Sequence, residues 1–587
     1  MTGIDSHKPQ SLSARFVRAG VASLLALSAA AAADDSPVLQ RVDTTYPTFD
    51  GVTLTVAAGG DFQQALRRAR PGDVIELEAG AVYDGPFVLP RKEPGRDGAA
   101  RWILIRSAAP PGALPPEGRR VDPTHAESMA TLQATQDPVV SAEPGASHYR
   151  FEGIRIRPAT TGGSLAARWV YWARSVAAGV ERDDRPPADA PFLYNLVSLG
   201  TEEARIEDLP HHIVFDRCYL HGDPVVGARR GIALNSRHTA IVNSYLADFK
   251  EVGFDSQAIL GWNGPGPFKI ANNYLEAAGE NLMFGSAVPR IDGLVPADIE
   301  IRGNLFAKPL GWKIDHPTYE GTPWSVKNLL ELKNAERVLI EGNVLEYNWP
   351  HAQNGFAVLF TVRNQHGDVP WATVRDVTFR NNLLRHIGSG INVLGLDDNG
   401  HPSRKTRRLV MDNNLFLSVG GAWGGGTLFQ MLSSTEQVVI SRNTAEQTGS
   451  IIVTDGKGLH ESFRFTGNVM PHNEFGIVGT GAAPGLGTLR RDFPGATVID
   501  NVLIAADAAR YPAGNRFPPS LDVVGTLSEE NPEAGRSGVD VRRLCRALEA
   551  ANPSPAGDLE FCGFAERSSA RVAPAPLFRA GRVVTKP

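Results

Sequence analysis

The 587-residue sequence predicts an all-β chain wound as a right-handed parallel β-helix, a three-sheet solenoid with an N-terminal capping helix and a short C-terminal helical tail. Three observations predict it. A short β-rich pattern built around an asparagine turn recurs ten times, a second apolar segment falls between the copies, and both ends of the chain depart from the pattern.

The recurring pattern reads VFDRCYL at Val214, AIVNSYL at Ala240, KIANNYL at Lys269, EIRGNLF at Glu300 and LIEGNVL at Leu339. It continues as TFRNNLL at Thr378, VMDNNLF at Val410, VISRNTA at Val439, RFTGNVM at Arg464 and TVIDNVL at Thr497. Aligned, these put Cys218, Ser244, Asn273, Asn304, Asn343, Asn382, Asn414, Asn443, Asn468 and Asn501 in one column, spaced 25 to 39 residues apart. Asn tolerates a left-handed backbone, and its amide both donates and accepts, so stacked copies can bond from coil to coil. Hairpin turns would recur every 8 to 12 residues or so.

The intervening apolar segments are GIALN at Gly231, SQAIL at Ser256, NLMFG at Asn281, NLLELK at Asn328, GFAVLF at Gly355, GINVLG at Gly390 and SIIVT at Ser450. Each coil therefore carries three short strands, and stacking them at about 4.8 Å gives three parallel sheets around an apolar interior. The LxxLxLxxN spacing and helical backs of leucine-rich repeats are absent, as are the regular four-strand blades of a propeller.

At the N-terminal end, GGDFQQALRRARPGDVIEL from Gly59 predicts a short helix capped by Asp61, a turn and a strand, suited to plugging the open end of a solenoid. After about Pro519 the pattern stops, and VDVRRLCRALEAA from Val539 predicts an amphipathic helix in a C-terminal cap or tail. Ahead of all this, Lys8, Arg15 and Arg18 precede an apolar run from Ala19 to Ala33 that ends in small residues, the signature of an export signal. The expected organisation is a signal peptide over 1–33, a cap and first coil over 34–110, the β-helix over 111–519 and a tail over 520–587, with a secreted or periplasmic destination.

Composition narrows the partners. Net charge is -5 and the basic residues are scattered, which argues against nucleic acid. No later apolar run reaches membrane-spanning length, so no membrane contact is expected once the signal is removed, and the chain is expected to be a monomer. The three cysteines, Cys218, Cys545 and Cys562, form no CxxC pattern; Cys545 and Cys562 are close enough in sequence to pair or to stay free.

The GGDFQQAL and PGDVIEL opening followed by asparagine-turn coils resembles the pectin and pectate lyase-like superfamily, over roughly Gly51 to Asp507. The segments HHIVFDRCYLHGD, AAGENLMFG and VKNLLELKNAERVLIEGNV resemble exported bacterial β-helix proteins without an assigned activity. The resemblance implies the fold and a carbohydrate-active groove along one sheet, in a superfamily that holds lyases, hydrolases, epimerases and non-catalytic adhesins. The WIDH-type segment of pectate lyases is not matched: FDRC at Phe215 has Arg in place of His, and WKIDH at Trp312 has an inserted Lys. No calcium site or base carries over from it.

If Leu330 and Leu332 point inward, period-two alternation places Glu331 and Lys333 on the groove face. Loops before the groove strands add Lys250, Asp255 and Glu280, and Arg363 follows a groove strand. A uronate lyase needs a cation near the substrate carboxylate and a group to take the α-proton, whereas a glycoside hydrolase needs two carboxylates. The expected catalytic set is Glu331, Lys333, Lys250, Asp255, Glu280 and Arg363, with Ca2+ as an optional cofactor. Six of nine tryptophans fall over the central coils, so Trp262, Trp312 and Trp349, with Asn281 and Asn392, are expected to bind a polysaccharide. His211, His212 and His221 lack HExxH-like spacing, and no metal site is expected there. A non-catalytic polysaccharide-binding protein would use the same groove.

Overall fold

Three short strands per coil, each with alternate side chains apolar, can bury those side chains only by winding around a common axis. In the computed structural model, which describes residues 38–93, 101–159, 193–523, 527, 537–549 and 562, they do so. Three parallel sheets of 14, 13 and 12 strands run the length of the solenoid. The first sheet runs from Thr53–Val56 to Thr497–Ile499, the second from Val82–Asp84 to Val502–Ile504, and the third from Phe87–Leu89 to Ile477–Gly479. The expected signal segment lies outside the described residues. No helix among the described residues is long and apolar enough to cross a membrane.

Register keeps like with like. On the first sheet Phe215, Ile241, Ile270, Ile301, Ile340, Phe379, Met411 and Ile440 stack one above another into the core. Burying each such side chain contributes about 1.5–3 kcal/mol, so the column is a continuous source of stability.

At the corner between the first and second sheets the asparagines form an unbroken ladder. The Oδ1 of Asn304 accepts from the backbone N–H of Asn273 at 2.9 Å, and its Nδ2 donates back to the carbonyl of Ile270 at 2.8 Å. The same bond repeats through Asn343, Asn382, Asn414, Asn443, Asn468 and Asn501, and runs one step further to Asn515. Ser244 supplies a hydroxyl in place of the amide beneath Cys218. The left-handed residue is not the ladder asparagine, as the sequence suggested, but its predecessor: Arg217, Asn243, Asn272, Gly303, Gly342, Asn381, Asn413, Arg442, Gly467 and Asp500 all have φ between 52° and 66°. That frees the ladder side chain to point inward.

A second left-handed column, unseen in the sequence, runs along the first sheet. His148, His212, His238, Asp298, Arg337, Asp376, Arg408 and Gln437 have φ between 50° and 61° and occupy equivalent places along the sheet, interrupted once, at Pro267 between His238 and Asp298. In its later coils the column is an ion-pair ladder, with Arg337 on Asp298 and Arg408 on Asp376.

The N-terminal helix, Phe62–Arg68, has the Asp61 side chain accepting from Gln64 N–H, and buries Phe62 against Tyr83 and Phe87 over the first coils. The tail helix, Val541–Leu548, lies on the flank of the second sheet against Val344, Leu383, Leu415 and Leu417, so it does not plug the far end. The last coils are packed instead by a helix at Leu486–Asp492 with Leu489, Phe493 and Tyr511. Cys545 pairs with Cys562, Cα to Cα 5.4 Å, and Cys218 is a buried free thiol.

Candidate functional site

Leu330 and Leu332 lie in the core, which turns Glu331 outward on the third sheet between Met283 and Leu359. The corner leading into this sheet carries a row that alternation alone would have pointed inward. Asn195, Arg230, Gln257 and Glu280 are linked side chain to side chain: Arg230 donates to Asn195 and Gln257 at 3.0 and 3.1 Å, and Gln257 donates to Glu280 at 2.8 Å. Asn328 continues the corner, donating to Glu331 at 2.9 Å and to Gln353 at 3.1 Å.

Charges converge where these two rows meet. Lys327 Nζ lies 2.5 Å from Asp255 and 3.5 Å from Glu280, and Lys333 Nζ lies 3.6 Å from Glu331 and 3.2 Å from the Ser286 hydroxyl. Thr361 also reaches Glu331, at 3.3 Å. Glu280 and Glu331 are 0% and 2% exposed, so these are desolvated charges. Burial, then the neighbouring Asp255 charge, pushes the Glu280 carboxyl up despite Lys327. Burial acts on Asp255 in the same direction, but Lys327 at contact distance outweighs it and holds that carboxyl below its usual range. Two adjacent acids are thus driven apart, the arrangement that divides acid and base roles.

Three carboxylates would be a fitting set of hard oxygen donors for Ca2+. Lys327, however, already sits between Asp255 and Glu280 where such a cation would be held, so the residues present do not fit the ion.

Several expected residues serve the fold instead. Lys250 is 3% exposed, donating to the Pro224 carbonyl and paired with Asp248, each at 2.7 Å, because the strand end folds it under Trp312 and Trp324. Asn281 is buried at the corner, donating to the carbonyls of Leu275 and Ala307. Its Oδ1 accepts from Lys308, whose ammonium is also ringed by the carbonyls of Ala277, Ala278 and Gly279. Burial pulls Lys308 down to about 7. Trp312 packs with Trp324, Trp349 and Val326 in a sealed cluster, so its faces offer no platform for a sugar.

Other expected residues stay on the outer face. Trp262 covers Ala233, Leu260 and Met283 beside the charged rows, with Arg230 over its ring. Asn392 stands two coils below Glu331 in the same row, and its buried Oδ1, like that of Asn328, makes no hydrogen bond among the described residues. Arg363 lies just beyond Lys333 in the next coil and is paired with Asp398 at 2.5 Å and Asp397 at 3.7 Å. Trp349 lines a cavity of about 330 Å3 with Trp423, Lys313, Asp315 and His351, formed by three loops that enter the third sheet.

Lys327, Gln257, Arg230 and Asn328 were missed by sequence reasoning. They sit at a corner, where period-two alternation stops being a guide, although Lys327 directly precedes the NLLELK strand. His221 proves remote from the other histidines: it lies on the second sheet, bonded to Arg155 and the Gly222 carbonyl.

No protein-family model and no curated protein matches the chain. Among solved structures it is similar to the PL6 family alginate lyase AlyGC, at 13% identity over 86% of this chain and 58% of that one, with a TM-score of 0.48. It is also similar to the catalytic unit of a GH87 α-1,3-glucanase from Streptomyces thermodiastaticus strain HF3-3, at 12% identity over 80% and 72% of the two chains and a TM-score of 0.48. A mannuronic acid specific polysaccharide family 6 lyase from human gut microbiota gives 12% identity, 86% and 99% coverage and a TM-score of 0.49. The chain thus spans well under two thirds of the first of these, and its functional reading rests on its own residues.

Proposed function

We propose that the protein is a carbohydrate-active enzyme that cleaves an acidic polysaccharide by β-elimination along the outer face of the third sheet. The observation that carries this reading is the pair of buried carboxyls, Glu280 and Glu331, set among the partly exposed Asp255, Lys327 and Lys333 on that face, since clustered ionisable groups with opposed shifts concentrate at working sites. Lys333, steadied by Ser286, first passes a proton to its partner Glu331 and, as the neutral amine, takes the proton from the carbon next to the uronate carboxylate. The electrons form the new C=C bond, and the glycosidic oxygen leaves with the proton that Glu331 holds. Arg363, one coil further along, meets the substrate carboxylate and spreads the charge that builds on it. Trp262 and the Trp423 side of the rim cavity flank the track as surfaces for neighbouring sugar rings.

Export fits the charged and apolar N-terminal run, and the Cys545 to Cys562 pair suits an oxidising compartment. The chain acts as a secreted or periplasmic monomer.

A second reading, glycoside hydrolysis, is favoured by one observation: Glu280 is raised while Asp255 is lowered, as an acid and its carboxylate partner require. One experiment separates the readings. The purified protein is incubated with a panel of acidic and neutral polysaccharides while ultraviolet absorbance and new reducing ends are followed. Elimination raises both signals and hydrolysis raises only reducing ends. Binding without new chain ends would leave a non-catalytic carbohydrate-binding protein and remove both enzymatic readings.

A further inference from the structure

The left-handed column on the first sheet changes character along the solenoid. From Asp298 to Arg408 its members neutralise one another as Arg–Asp pairs. In three consecutive earlier coils, between Trp102 and Pro267, the same places hold imidazoles: His148, His212 and His238 stack with ring centroids 4.6 Å apart at each step. His211, one residue before His212, turns its ring edge-on to this stack, 4.9 Å from His212 and 5.6 Å from His148.

The positive φ at His148 and His212 is what brings their side chains to one edge instead of alternating across the sheet. One ring nitrogen each from His148, His211 and His212 falls within 4.8 Å of the others. The Nδ1 atoms of His211 and His212 approach to 2.7 Å, a contact in which one ring must donate to the other's lone pair. His238 Nδ1 next in the stack is buried and makes no hydrogen bond among the described residues. All three clustered rings are half-buried, so solvent reaches them.

We propose that His148, His211 and His212 form a binding site for a divalent transition-metal ion of the zinc type, on a different sheet from the polysaccharide groove. An all-imidazole donor set with no carboxylate selects a borderline ion over Ca2+ or Mg2+. Tetrahedral Zn2+ with Zn–N of about 2.0–2.1 Å holds its donors about 3.3 Å apart. The 2.7 Å pair therefore has to open slightly and the third nitrogen to close in, movements within reach of imidazole rotations. Two strands, Ser147–Glu152 and His211–Asp216, supply the ligands, so the ion ties together neighbouring coils separated in sequence by residues 160–192.

The test is equilibrium dialysis of the tag-free full-length chain against ZnCl2, with and without excess CaCl2. One equivalent of Zn2+ bound per chain and undisturbed by Ca2+ is expected, with affinity falling at least tenfold in His148→Ala and in His212→Ala. His221→Ala, on the second sheet, keeps the parent affinity. Absence of saturable Zn2+ binding, or the parent's affinity retained in either His148→Ala or His212→Ala, overturns the site. Should either variant fail to fold, titration of the parent with CoCl2 decides: a visible absorption band saturating at one equivalent supports three imidazoles around the ion, and a featureless titration overturns it.

Discussion

Two corners of the same solenoid line up polar side chains coil after coil, to different ends. At the asparagine corner every member from Asn273 onward is the same amide, every backbone N–H to Oδ1 bond has the same length within a tenth of an ångström, and each donor meets an acceptor. At the corner entering the third sheet the row reads Asn195, Arg230, Gln257, Glu280 and Asn328, with charges buried beside one another and the Asn328 carbonyl without a hydrogen bond among the described residues. The first arrangement is what repetition yields when only stability is required. The second departs from repetition at a cost, and such departures concentrate where a protein acts.

The comparison breaks most readily at Lys333. Lys333→Ala should lower kcat/KM on the preferred acidic polysaccharide by about 10²–10⁴-fold with unchanged circular dichroism, the range of a lost proton-transfer group. An active variant would move the chemistry elsewhere on the sheet.

Lys327→Met should come next. It strands the buried Glu280 beside the partly exposed Asp255, and removing their shared cation costs about 3 kcal/mol, the low end for a buried pair, measured by urea denaturation. The variant should also gain thermal stability from Ca2+ where the parent gains none, since the ammonium no longer fills the space between the carboxylates. EDTA should leave parent activity unchanged.

Asn343→Ala removes one rung of the regular ladder and leaves the Asn304 N–H without its acceptor. A loss of about 1–3 kcal/mol is expected in the same denaturation assay, with little change in kcat/KM. Should activity fall as far as in the Lys333 variant, the two corners are less separate than their bonding implies.

A further effect concerns pH. Lys308 holds its proton less tightly folded than unfolded, at about 7 instead of the ordinary 10.5, so between those values the unfolded chain carries the extra proton and stability rises with pH. The stability difference between the parent and Lys308→Met should shift in the parent's favour from pH 7 to pH 10, and stay level below pH 6. A flat difference across the alkaline range would show that the ringed ammonium stays charged.

The solenoid was legible because it repeats: ten turns, eight of them with asparagine in the column, average out local ambiguity, and the ladder found in space is the column found in the sequence. Its extra rung at Asn515 was not legible, since the surrounding strand pattern has stopped there. Glu331 and Lys333 could be placed because two leucines fix the phase of a strand. Lys250 and Trp312 could not, since their positions depend on loops folding back over a corner, which strand periodicity does not encode. The histidine stack was hidden for a similar reason: His148 and His212 are 64 residues apart in the chain, and a left-handed residue within each strand shifts the phase that alternation assumes.

The segment from Ser537 to Glu549 retraces the asparagine corner backwards: Gly538 bonds to Gly467, Val539 to Thr444 and Asp540 to Asn413, and the Ala547 carbonyl rests where any side chain at Gly342 would collide with it. A stack of nearest neighbours ordinarily frays from its tip, one layer at a time. Here the chain's own end splints four or more layers from outside, so the late windings cannot peel away without first lifting that splint from the middle of the rod. Melting should therefore begin with undocking of the splint and then take the covered layers as one cooperative block.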